Sequence, residues 1–148
     1  MTTVQEILDL ADKRLLESQC LLANNHSEGA YYLAGYVVEL TLKAHICKLL
    51  DMDDFYASNH IRKVSNAYHT HNFEQLLTLS GWRKRLEDET ALSSPTANID
   101  LAANWLTICK WSEQKRYEPT VSTNDAVALI NALTDPLNGF LAWTQRNW

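Results

Sequence analysis

The chain has 148 residues, is 46% hydrophobic and carries a formal net charge of −5. That is enough for one domain over residues 1–148 with its own core, and the acidic balance speaks against a dedicated nucleic-acid coat protein. The longest unbroken apolar run, residues 30–38, falls well short of the roughly 20 residues that a membrane-spanning helix needs.

The first residues lack the charged and apolar regions of a signal peptide, so a cytoplasmic protein is expected. Thr3-Val4-Gln5-Glu6 is a capping box with Thr3 as N-cap. The helix after it puts Val4, Ile7, Leu8, Ala11, Leu15, Ser18 and Leu22 on one face. Residues 24–29 form a turn, and Asn25 or Ser27 caps a second helix that runs to about Leu50. That helix is apolar nearly all round until Glu39, which places it at the centre of a bundle. It also carries Glu39 and Lys43 at i,i+4, with the acid first, the better order for a helical ion pair. Charges on a central helix are costly unless they are paired or face a cleft. Gly35, inside the same helix, predicts close approach of a neighbouring element.

Residues 51–68 read as irregular and polar. Asn72-Phe73-Glu74-Gln75 caps a short helix over about residues 73–80, with Gly81 suited to the C′ position. Ser93-Ser94-Pro95 marks the next start, and Ile99, Ala102, Ala103 and Leu106 give that helix its inner face. Residues 111–119 form a polar exit loop. Ser122-Thr123-Asn124-Asp125 caps the last helix, whose stripe is Ala126, Leu129, Ile130, Leu133, Leu137, Phe140 and Leu141. The stripe keeps its phase through Asp135-Pro136, which predicts one kinked helix. The expected fold is all-α: an antiparallel up-and-down bundle of four long helices plus one short one.

Cys20, Cys47 and Cys109 are too few and scattered for a disulfide framework, and all fall on predicted helices. Between His60 and Arg85 the bases are Arg62, Lys63, Arg83, Lys84 and Arg85, against the single acid Glu74. Such a segment is either a local anion-binding face or a solvated connector. His69-x-His71 with His60 is a thin metal pattern without the convergent ligand set that zinc requires, so no metal is expected. No glycine-rich phosphate loop, His-Glu-x-x-His or Gly-x-Ser-x-Gly occurs, and no cofactor is expected. Of the five tryptophans, Trp111 beside the Arg116 loop is a candidate to stack on a base, and Trp148 predicts a docked tail.

Three segments carry a family resemblance. Gly29-Ala30-Tyr31-Tyr32-Leu33-Ala34-Gly35-Tyr36-Val37-Val38-Glu39-Leu40-Thr41-Leu42-Lys43-Ala44 resembles the second helix of HEPN domains. His71-Asn72-Phe73-Glu74-Gln75-Leu76-Leu77 is similar to that family's His-Asp-Leu-x-x-Leu-Leu segment, with Asn72 in place of the aspartate. Lys115-Arg116-Tyr117-Glu118-Pro119 is similar to its Arg-Tyr-Pro segment. The resemblance implies a HEPN-like helical bundle, commonly a homodimer, that binds RNA or nucleotides. Some members are metal-independent endoribonucleases of toxin–antitoxin or defence systems, with a nucleotidyltransferase-like antitoxin as partner. Others only scaffold. Nuclease members carry Arg-x(4–6)-His. The match here is Arg62 with His69, which precedes the His71 segment rather than lying in the later helical half.

The candidate catalytic residues are therefore His71, Arg116, Arg62 and His69. The candidate nucleotide- or RNA-binding residues are Glu39, Lys43, Tyr117, Arg83, Lys84 and Arg85. In the functional reading they surround one cleft on the second helix, continuous with the basic Arg83-Lys84-Arg85 face. In the structural reading, a non-catalytic dimerisation or adaptor module, Arg116 pairs with Glu39 and His71 caps the short helix.

Overall fold

The structure, a computed structural model, describes residues 2–57, 62–118 and 120–148, with only the backbone of Arg62 and Lys63. All regular structure among the described residues is helical. In chain order come α1 (Val4–Ala23), α2 (Ser27–Leu49), α3 (Arg62–Tyr68), α4 (Phe73–Leu79), α5 (Arg83–Thr90) and α6 (Ile99–Cys109). A 3₁₀ turn (Glu113–Tyr117), α7 (Thr123–Thr134) and α8 (Phe140–Arg146) complete it.

Local chemistry accounts for most boundaries. Thr3 and Glu6 form the expected capping box on α1, and Ser122 and Asp125 form one on α7. Asn72 Oδ1 accepts from the Gln75 N–H at the start of α4, and Gly81 follows its end at φ +75°, where glycine alone is unstrained. The expected cap of α2 is absent: His26 holds the N-cap position without a side-chain bond, while Ser27 Oγ lies 2.9 Å from Thr123 Oγ1. The two helix starts thus sit side by side. At the far end of the α1–α2 hairpin, the Phe55 N–H donates to the Thr2 carbonyl at 3.0 Å.

α2 is the centre. It is buried without interruption from Val37 to Cys47 and packs against α1, α7, α4 and the 3₁₀ turn. Gly35 is where Trp111 crosses it. A Cβ there would fall 2.0 Å from Trp111 Cε2, so the indole lies directly on the backbone. Trp111 also stacks on Phe73, with centroids 5.0 Å apart. It belongs to the core, which removes it as a candidate to stack on a bound base.

Several sequence expectations need correction. The α7 stripe does not continue as one kinked helix: α7 stops at Thr134 and α8 starts at Phe140. Asp135, ahead of Pro136, is driven out of the helical region to ψ 124°, and its carboxylate accepts from the Leu137 and Asn138 N–H groups. Leu137 is consequently exposed. α6 starts at Ile99 rather than at Pro95, capped by Asn98. Its buried face is Leu101 and Ile108, whereas Ile99 and Leu106 are each 66% exposed. The stretch before His69 contains α3, and the Trp111 exit segment contains the 3₁₀ turn. α5 was not expected; Leu86 is its only buried residue, and Arg83–Glu87 and Lys84–Asp88 pairs at i,i+4 line its outside.

The tail docks on its own chain. Trp148 meets the His45 ring edge-on at 5.3 Å and lies under the Lys48 ammonium at 4.8 Å. No described helix is long and apolar enough to cross a membrane.

Candidate functional site

α2 lays Tyr32, Tyr36, Glu39 and Lys43 along one stripe, at offsets of four, three and four residues, the repeat of one helix face. This stripe forms the floor of an open cleft of about 510 Å³. α1 supplies Leu10 and Arg14, the segment after α2 supplies Tyr56, and the segment after α3 supplies His69 and His71.

Glu39 and Lys43 are 3% and 4% exposed, and Lys43 Nζ donates to Glu39 Oε1 at 2.7 Å. The second carboxylate oxygen, Oε2, accepts from His71 Nδ1 at 2.7 Å. A charge this deep is tolerated because both of its oxygens are bonded. On the other side of the imidazole, Nε2 lies 3.0 Å from Glu113 Oε2 of the 3₁₀ turn. A neutral ring has one N–H and can serve only one of these carboxylates, whereas a doubly protonated ring serves both. His71 is thus oriented from below by a buried acid and covered from outside by an exposed one. It does not cap α4; Asn72 does.

The tyrosines form one end of that floor. The Tyr32 and Tyr36 hydroxyls are 2.9 Å apart. Burial, with the Tyr32 hydroxyl as second cause, pushes the Tyr36 hydroxyl well above the usual phenol range, so it remains a hydrogen-bond donor at neutral pH. Arg116 donates to the Tyr32 hydroxyl at 3.5 Å and stacks its guanidinium over Tyr117, 4.6 Å from the ring centroid. Arg116 and Tyr117 therefore stand at the rim, both exposed, and Arg116 is not the partner of Glu39.

The sequence candidates divide accordingly. Glu39, Lys43, His69 and His71 come together in the cleft, and Arg116 with Tyr117 reaches its edge through Tyr32. Arg83, Lys84 and Arg85 do not line it, which corrects the expected continuity. Arg83 is held by Glu74 and Glu87, Lys84 by Asp88, and Arg85 by the Asn147 side chain. His60, Pro119 and the Arg62 side chain lie outside the described residues, so the Arg62–His69 spacing has no geometry to report.

Sequence reasoning missed Arg14, Tyr32, Tyr36, Tyr56 and Glu113. For the two α2 tyrosines the signal was present, since they continue the Glu39–Lys43 stripe. For Arg14, Tyr56 and Glu113 no local pattern exists, because their proximity is created by packing. Comparison of the chain with models of known families, with curated proteins and with solved structures finds no match.

Proposed function

We propose that this chain is a HEPN-like four-helix protein that binds RNA or a nucleotide phosphate in the α2 cleft and cleaves RNA without a metal. One observation carries the reading: an imidazole, His71, is oriented by a buried carboxylate at the edge of an open cleft. Such a ring is placed to exchange a proton with a bound ligand. Arg116 supplies a guanidinium suited to phosphate, and Arg14, whose Nη1 is paired with Glu17, offers a second with its remaining N–H groups, while the buried Lys43 holds Glu39 rather than the ligand. When Glu113 swings aside, His71 Nε2 accepts the proton of a ribose 2′-hydroxyl. The 2′-oxygen bonds to the adjacent phosphorus, the bond to the 5′-oxygen breaks, and that oxygen takes a proton from solvent water as it leaves. The products are a 2′,3′-cyclic phosphate and a 5′-hydroxyl.

The test is cleavage of a mixed RNA pool in excess EDTA. The wild type is expected to cut and leave cyclic phosphate ends. His71→Ala should abolish cutting and Arg116→Ala should reduce it, with helical content unchanged in both. Absence of cutting and of RNA or nucleotide binding by the wild type removes the proposal.

A second reading is favoured by a separate observation. Ile99 and Leu106 form an exposed apolar face on α6, as a dimerisation or adaptor module would present.

A further inference from the structure

Tyr56 and His69 form a stacked pair on the cleft wall, with ring planes 18° apart and centroids 5.3 Å apart. The pair is braced from beneath. Phe55, fully buried, meets Tyr56 edge-on at 5.0 Å and His69 at 5.4 Å. Tyr68, also buried, meets His69 edge-on at 4.9 Å. The His69 ring is held by its edge, since Nε2 donates to the Phe55 carbonyl at 3.4 Å. Yet Tyr56 is 53% exposed. A large ring fixed in orientation, half open to solvent and beside a cleft that holds an arginine and a histidine is poorly explained by core packing. The same features suit a flat ligand joined to an anion.

We propose that Tyr56 and His69 are a stacking platform for one unpaired nucleobase, whose phosphate lies toward Arg14 and His71. The inference rests on the phosphate-ligand reading and narrows it. The ligand is a nucleotide with a free base face, either a free mononucleotide or a residue of single-stranded RNA, and a duplex is excluded because its base faces are already stacked. His69 then has a positioning role rather than the proton-transfer role that its spacing from Arg62 suggests. Its Nε2 proton is committed to the Phe55 carbonyl, and its face supports Tyr56.

Binding is measured by fluorescence anisotropy with a labelled 2′-O-methyl hexaadenylate, which cannot be cut through its 2′-oxygen. An abasic ribose-phosphate backbone of the same length and an RNA duplex serve as comparison probes. The hexaadenylate is expected to bind more tightly than either. Tyr56→Ala should weaken it roughly 5- to 150-fold, the range seen when one stacked base loses its ring. Tyr56→Phe, which keeps the ring, should retain most of the affinity; His69→Phe keeps a ring but loses the bond to the Phe55 carbonyl, and should weaken binding by less than Tyr56→Ala does. Displacement by AMP but not by ribose 5-phosphate identifies a free nucleotide as sufficient. Failure of AMP to displace a bound hexamer identifies RNA as the source. Equal affinity for the abasic and adenylate probes overturns the platform and leaves the phosphate reading standing, as does loss of binding in Tyr56→Phe or His69→Phe with the fold intact. Binding of neither probe overturns both.

Discussion

Glu39 shows what a single buried acid demands of its surroundings. Its two oxygens are taken by Lys43 and His71, and removing the lysine leaves a negative charge 3% exposed with half its partners. Breaking a buried pair from one side costs about 3–5 kcal/mol. Because His71 remains, Lys43→Met is expected near the lower end, about 3 kcal/mol by urea unfolding. The double variant Glu39→Leu/Lys43→Met should lose less than the single one, since no unpaired charge is left. His45 makes a different demand. It stacks on Trp82 at 3.7 Å and its Nδ1 donates to the Ser80 carbonyl at 2.7 Å. Burial holds its pKa below the ordinary 6.5, with Lys48 acting in the same direction and the Ser80 bond opposing it. The unfolded chain therefore takes up this proton at a higher pH than the folded one. The stability that depends on a neutral His45 is present above about pH 6.5 and is lost as pH falls through the lower folded value. Denaturant midpoints measured from pH 7.5 to 5 should fall on the acid side, and His45→Phe should flatten that fall.

At the scale of elements, α2 and the segment from Trp111 to the 3₁₀ turn behave as one unit. Gly35 costs α2 about 1 kcal/mol of helix propensity relative to alanine, but it lets the Trp111 indole reach the backbone. That contact positions the turn that carries Glu113 and Arg116. Gly35→Ala is therefore expected to destabilise by about 1–3 kcal/mol through overpacking, despite its better propensity. Thermal unfolding measures the loss, and the added substitution Trp111→Leu should recover part of it. If Gly35→Ala alone raises the melting temperature, the close approach is not what glycine is there for. The same unit explains how the candidate site was partly legible. The α2 stripe Tyr32, Tyr36, Glu39, Lys43 follows from helical periodicity, and His71 is singled out by the resemblance of its segment to the HEPN His-Asp-Leu-x-x-Leu-Leu segment. That His71 meets Glu39, 32 residues earlier, and that Glu113 closes over it, depends on α4 and the 3₁₀ turn packing against the same face of α2.

At the scale of the whole molecule, one apolar face is left exposed among the described residues. Ile99 and Leu106 lie two turns apart on α6. Exposed apolar area of this kind marks an interaction surface. A homodimer, proposed from the family resemblance, would bury this face. Light scattering across a concentration series is expected to give a dimer for the wild type and a monomer for Leu106→Arg, with unchanged helical content. A wild type that stays monomeric at high concentration defeats this proposal.

The sequence by itself determined the helical class, the caps at Thr3, Asn72 and Ser122, the central place of α2 and the ion pair upon it. Each of these follows from interactions within one or two helical turns. It could not determine which face of α6 points inward, because Ile99/Leu106 and Leu101/Ile108 are apolar pairs with the same seven-residue spacing. Nor could it show that Arg83 pairs with Glu74 and Glu87, that Lys84 pairs with Asp88, and that Arg85 bonds the Asn147 side chain. Only the tertiary structure decided those points. It did the same for the meeting of Arg14, Tyr56, His69, His71 and Glu113 around α2. Long-range contacts are set by how whole helices pack, and no local pattern of residues encodes which distant side chain will arrive.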